Sequence, residues 1–505
     1  MTAKLIYVGV LCATAALAAP ASAQVAWSLS PAITSASLFA ATAEAGRALV
    51  RAEASNEAED QTPDKAQDKK AKGADQTSDE KARKKAEKKA EKKADKADEE
   101  AALRGLVWRD RPTLRYGNTF RMDFRLKLQF SPRQSSLDLS TRGGELAWED
   151  RRAGVKGSFL KYFDYEFEHD IYTGGKWRDA YLNTAVVPWA QVQVGRFKIP
   201  FGYERLTSPT DLDFVFRTRM SDALTPARAT GVMGRGRLVN RAFLYQVGIF
   251  NGEGDNSPTF EPAYLLPGEQ VQTEPKTIAA RFTFAPLRLG SSPSKAHHLE
   301  IGAAVVSSTS REGMNNLTGR MVLGDKFFHR DFYTKGSRLR IGAEATWASG
   351  PFSMSTEYIR VTEARDGMGV GNEQGVNNTL PDIVSRGWYV AGSWVVTGER
   401  KEGGVKPRRP FLQGGVGAIE VSARVEQLRF ASASTNGELP SRSPRAANVL
   451  PNGDTATTVG VNWYLNRWVK IQINSIREKL DDPSRGPVPG QSSFWTVISQ
   501  LQFVL

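Results

Sequence analysis

Arg121, Arg125 and Lys127 stand at alternate positions of one stretch, and Arg338 and Arg340 do the same in another. Cations spaced by two share one face of an extended chain. On a wetted face they draw anions, and a guanidinium offers a fork of donors to phosphate-like oxyanions. Asp164, Glu166, Glu168 and Asp170 form an acidic face of the same kind. Paired carboxylates could serve a hydrolase or a Ca²⁺ site. The alternation favours a plainer reading, an acidic wall opposing a basic one.

No catalytic apparatus accompanies these charges. The histidines are His169, His297, His298 and His329, and none has metal-ligand spacing. There is no G-x-S-x-G elbow and no G-K-[ST] phosphate loop. Gly234-Arg235-Gly236 lacks the third glycine of a dinucleotide motif. Cys12 is the only cysteine, and it falls in a segment expected to be removed. Disulfides, thiolate metal sites and cysteine nucleophiles are therefore excluded together. The expectation is no enzyme, no cofactor and no metal.

The elements that must position the charges are strands. In residues 119–130, Phe120, Met122, Phe124, Leu126, Leu128 and Phe130 alternate with Arg121, Asp123, Arg125, Lys127 and Gln129. One face is apolar and the other charged over a length of about 10 residues or more, which a tilted membrane strand needs. Candidate strands lie near 118–130, 147–158, 161–172, 176–187, 190–197, 228–237, 242–250, 276–286, 297–308, 337–347, 352–362, 385–397, 415–428, 455–465, 467–478 and 493–504. Their even number suits a bacterial outer-membrane barrel. Aromatic pairs such as Trp388-Tyr389, Trp463-Tyr464 and Phe494-Trp495 would form interfacial girdles. Leu465-Asn466-Arg467 reads as a periplasmic turn, and 251–275, 309–336, 363–384 and 478–492 read as external loops. The fold class expected is all-β, a transmembrane antiparallel barrel of about 16 strands whose lumen is aqueous.

The rest of the chain is consistent with export. Lys4, an apolar run from Leu5 to Ala19 and the small residues Ala21-Ser22-Ala23 read as a signal peptide, residues 1–23. Past it there is no apolar run of about 20 residues, so no helical span is expected. Residues 24–104 are Ala/Ser-rich and then Lys/Glu/Ala-rich, a periplasmic spacer or weak coiled coil with scope for cell-wall contact. Residues 51–104 hold 15 Lys plus Arg against 15 Asp plus Glu. That balance argues against a nucleic-acid tail, which needs excess positive charge. Nearly all of the net charge of +13 therefore falls in residues 105–505, the proposed barrel.

Four stretches carry a family resemblance. Gly195-Arg196-Phe197-Lys198-Ile199-Pro200-Phe201-Gly202, followed by Leu206-Thr207-Ser208, is the first. Val396-Thr397-Gly398-Glu399-Arg400, Gly417-Ala418-Ile419-Glu420-Val421-Ser422-Ala423-Arg424 and Val459-Gly460-Val461-Asn462-Trp463-Tyr464-Leu465-Asn466 follow in order. Together they resemble the phosphate-selective porin O and P family over roughly residues 115–505. The resemblance implies a sixteen-stranded, trimeric, anion-selective porin in the outer membrane, passing phosphate or chloride. It also implies that segment 198–237 folds inward as a constriction. That segment carries Lys198, Arg205, Arg217, Arg219, Arg228, Arg235 and Arg237 against Glu204, Asp211, Asp213 and Asp222. Only one of its cations is lysine, so the family's phosphate-trapping lysines are not carried over.

The candidate pore-lining, anion-binding residues are Arg121, Arg125, Lys127, Lys198, Arg205, Arg217, Arg219, Arg338 and Arg340. Other readings are a general non-specific porin, an outer-membrane enzyme scaffolded on the barrel, and a structural protein tethered to the cell wall.

Overall fold

The computed structural model describes residues 104–505 apart from 109, 136–145, 255–258, 261–274, 290–296, 316–317, 330–333, 367–378, 412 and 434–448. The expected signal and, Arg104 apart, the expected spacer lie outside the described residues. A hairpin of β1 (Arg104–Trp108) and β2 (Pro112–Tyr116) pairs with the start of β3 (Phe120–Ser135). The wall continues through β4 (Leu146–Phe159), β5 (Phe163–Asp170), β6 (Trp177–Thr184), β7 (Gln191–Lys198), β8 (Arg228–Leu238) and β9 (Phe243–Asn251). After the two-residue β10 (Thr259–Phe260) come β11 (Lys276–Phe284) and β12 (His297–Asn315). β13 (Thr318–Arg320) and β14 (Lys326–His329) make a separate hairpin. β15 (Thr334–Ser349), β16 (Phe352–Arg365), β17 (Leu380–Val395), β18 (Ala418–Ser432), β19 (Asn452–Tyr464), β20 (Val469–Leu480) and β21 (Ser493–Val504) complete the wall.

Each wall strand is antiparallel to its neighbours, and β21 pairs with β3, so the sheet closes on itself. Setting aside β1, β2 and β10 at the rims, the nineteen-stranded sheet is a sixteen-stranded barrel. Closure leaves no unpaired strand edge in lipid, which the bilayer requires. Each of the sixteen expected strands corresponds to one wall strand. Among the described residues, no helix is long and apolar enough to cross a membrane.

The wall is apolar outside and polar inside, the reverse of a water-soluble core. Leu339 and Ile341 are each 44% exposed, whereas Arg338 and Arg340 between and beside them are 4% and 5%. Val459, Val461, Ile473 and Leu501 are exposed, while Glu420, Asn462 and Gln472 are buried. A soluble sheet rarely exposes such a continuous apolar band; a barrel in lipid must.

The two rims differ. Connections such as 160–162, 350–351 and 465–468 are short. At the opposite rim most links are longer, and two of them turn into the lumen. Residues 199–227, between β7 and β8, are the first. The expected constriction over 198–237 is therefore shorter than its sequence bounds, because 228–238 returns to the wall as β8. The second is the β13–β14 hairpin, within the stretch 309–336 expected outside. Met321, Leu323, Phe327 and Phe328 give it an apolar side that is buried, with Phe328 stacked on Phe430 of β18 at 4.4 Å.

Candidate functional site

Segment 199–227 contains only the short helices Tyr203–Leu206 and Arg219–Leu224 and a single 3-10 turn. Most of its backbone polar groups thus lack partners of their own, and buried groups must find some. Wall side chains supply them. Glu357 of β16 accepts the Tyr203 and Glu204 amides at 2.7 and 2.9 Å. Asn474 accepts Val215 N–H at 2.8 Å, and Glu426 accepts Arg219 N–H at 2.9 Å. Lys470 donates to the carbonyls of Thr210 and Leu212, and Gln502 to that of Thr210. Gly202, at φ 76°, lets the chain enter: a Cβ there would lie 3.3 Å from Glu357 Oε1.

Several candidate residues serve this tethering. Lys198 donates to the carbonyls of Arg205, Leu206 and Thr207 at 2.8–3.0 Å, closing the end of the first short helix. Arg217 donates to the carbonyls of Glu204 and Thr207. Arg340 donates to Leu224 C=O at 2.9 Å. Arg205 pairs with Asp222 at 3.2 Å.

The β3 cations meet the acidic face of β5 across β4. Arg125 pairs with Glu166, and Lys127 with Glu168 at 2.5 Å. Arg152 pairs with Asp170 and Asp150, and Lys156 with Glu166. Arg121 is half-exposed near the short-turn rim and forks onto Asp123. These carboxylates thus face cations rather than a substrate pocket.

Four candidates do converge. Arg217, Arg219, Arg338 and Arg340 line one cavity, partly open to solvent, between the two infolded segments and the wall. Arg320 of β13 joins them, a residue that sequence reasoning missed by placing it in an external loop. The apolar cluster Met321, Leu323, Phe327 and Phe328 beside it was the available signal that this stretch turns inward. The lining holds five arginines and two carboxylates, Asp222 and Glu363. Arg219 pairs with Glu426 and Arg338 with Glu363. Arg217 and Arg320 bond only backbone carbonyls among the described residues, Arg320 reaching Gly324 C=O at 3.0 Å.

Behind the cavity sits Glu253, which reaches inward through the close turn at Gly254. There φ is 70°, and a Cβ would meet Arg228 C=O at 1.7 Å. Glu253 binds Arg338, Arg340 and Ser308. Burial pushes its carboxyl up, but Arg340 and Arg338 outweigh that and hold the pKa at about 2. Because the folded value is depressed, the stabilisation is present above the ordinary value of 4.5 and is lost as pH falls toward about 2. The window corresponds to about 3 kcal/mol. Protonation also strips Arg338 and Arg340 of a counter-charge. Lowering the pH from about 5 to about 2 should therefore shift the reversal potential toward anions more in the wild type than in Glu253→Gln. Equal shifts would remove Glu253 from this role.

On the short-turn side of segment 199–227 lies a wider vestibule of about 2170 Å³, lined by Asp213, Lys401, Arg424, Tyr464 and Lys470 among others. Lys401, from the link between β17 and β18, bridges Asp213 and Glu420. Burial opposes its charge, yet those two carboxylates raise it above the usual lysine range.

A closed barrel with a lipid-facing apolar band, a polar lumen and cavities on both sides of an infolded segment is the architecture of an outer-membrane porin. The model of the family described as phosphate-selective porin O and P matches residues 151–504, and the chain belongs to that family. Porin O of Pseudomonas aeruginosa is 30% identical over 152 residues, covering 28% of this chain and 30% of that relative. The chain thus spans under a third of the length of that curated relative. Among solved structures, a loop-deletion mutant of OmpT from Vibrio cholerae matches at TM-score 0.45 and 12% identity, covering 76% of this chain and 99% of that one. OprB of Pseudomonas putida matches at TM-score 0.46 and 11% identity, covering 76% and 94%.

Proposed function

We propose that the barrel is an anion-conducting channel whose arginine cavity is a resting place for oxyanions such as phosphate, with chloride as the small permeant ion. The observation that carries this reading is the pair Arg217 and Arg320. Both line the cavity, and neither has a carboxylate partner among the described residues. A fixed guanidinium outside any direct ion pair, beside a water-filled path, favours anions at every physiological pH. The β3 cations contribute less, because Glu166 and Glu168 offset Arg125 and Lys127. The homotrimer and the cell-wall contact of residues 24–104 belong to the same proposal and rest on the family resemblance and on composition.

That same offsetting favours the second reading, a non-specific porin. Phosphate added to both sides of a planar bilayer separates the two. On the proposal, the chloride current falls along a saturating curve as phosphate occupies the cavity. A chloride current that follows bulk conductivity alone would favour the non-specific channel.

A further inference from the structure

A row of charged side chains on the barrel faces away from the lumen. Arg360 of β16 stands opposite Arg386 of β17, which stands opposite Arg429 of β18. All three are exposed, and their neighbours in sequence, Ile359, Ser385 and Phe430, are buried, so alternation points the arginines outward. Strands lie about 4.8 Å apart, so three guanidinium-bearing side chains start side by side. Like charges directly opposite destabilise a sheet pair. Arg429 has Asp481 at 3.1 Å. Among the described residues Arg360 and Arg386 form no hydrogen bond or ion pair.

The row has a defined height. Tyr358 and Trp388 pair two residues nearer the short-turn rim, and Phe352 stacks on Trp394 at that rim. Eight residues separate Arg386 from Trp394. At about 3.3 Å per residue and a tilt near 40°, that is roughly 20 Å of height, close to the ~25 Å apolar band of an outer-membrane barrel. The arginines therefore sit where the external leaflet's headgroups begin. There an outward cation costs about 0–1 kcal/mol, against 2–4 at the midplane. An open groove of about 740 Å³ lies over them, lined also by Val384, Ala431 and Pro451.

We propose that this row binds the phosphate groups of a phosphorylated glycolipid in the external leaflet. Such a ligand carries closely spaced anions, which three adjacent guanidiniums match, and acyl chains, which the apolar wall below accommodates. A second copy of the barrel is a poorer fit. At or below the level of the row, no outward position of the described wall strands carries Asp or Glu to meet it, and Asp481, just past β20, already pairs with Arg429.

The test titrates the full-length protein in detergent with diphosphoryl lipid A and with its dephosphorylated form, read by native mass spectrometry. The wild type is expected to prefer the phosphorylated lipid by about tenfold or more, the change due to two or more cations near an anionic headgroup. Arg360→Gln with Arg386→Gln is expected to abolish the preference while leaving single-channel conductance unchanged. Should the double variant not assemble, Arg386→Gln alone is expected to reduce the preference severalfold. Equal binding of the two lipids by the wild type, or a preference that survives the substitutions, would overturn the proposal. Displacement of the lipid by millimolar inorganic phosphate would reassign the row to free anions. Dissociation of an oligomer with the lipid preference intact would reassign it to a contact between copies.

Discussion

Glu357→Leu is expected to raise single-channel conductance and weaken ionic selectivity, with the barrel still folded. The carboxylate of Glu357 accepts the amides of Tyr203 and Glu204 and the hydroxyl of Tyr389. Leucine cannot accept any of them. Each buried donor left unpaired costs about 1–3 kcal/mol, and here two backbone donors and one hydroxyl are affected together. The wall does not depend on them, because the ladders between β15, β16 and β17 are backbone bonds. The infolded segment should therefore detach at its entry and widen the lumen. A heat-modifiable band on electrophoresis checks that the barrel is intact, and bilayer recording gives the conductance. A folded variant with wild-type conductance would show that the other tethers, Lys470, Asn474 and Glu426 among them, hold the segment without Glu357.

Arg217→Gln with Arg320→Gln is expected to produce the largest loss of anion preference among charge-neutral changes. One unit charge about 5 Å from a permeating ion is worth about 1–3 kcal/mol at effective dielectric constants between 80 and 20. Removing two such charges should move the reversal potential strongly toward the non-selective value and weaken phosphate block together with it. Glutamine keeps a donor for the carbonyls of Glu204 and Thr207, so the segment should stay in place. Arg121→Glu with Arg125→Glu should have a smaller effect on the cavity, since those side chains lie with Asp123 and Glu166. The reverse order of the two double variants would place the selective step at the β3 wall instead.

The barrel was legible because lipid outside and water inside impose a period of two on every strand, and sixteen separate stretches repeat it. Arg338 and Arg340 were assigned to the lumen by that rule alone, and they lie there. The roles of individual cations were not legible, because they depend on contacts that no spacing encodes. Glu357 meets an amide 154 residues away, and Lys470 a carbonyl 260 residues away. Lys198 reads as a pore lysine by type but holds the carbonyls of the segment it precedes. Arg320 was hidden for the opposite reason. A long link between strands is external by default, and only its four buried apolar residues reveal that it turns inward.

The reversal potential of the wild-type channel in a potassium chloride gradient tests the central claim most directly. With the more concentrated salt on one side, the account predicts a potential of the sign set by chloride, and a further shift toward anions as Glu253 protonates in acid. A potential of the sign set by potassium at neutral pH would contradict the anion channel outright, whatever the arginines of the cavity do.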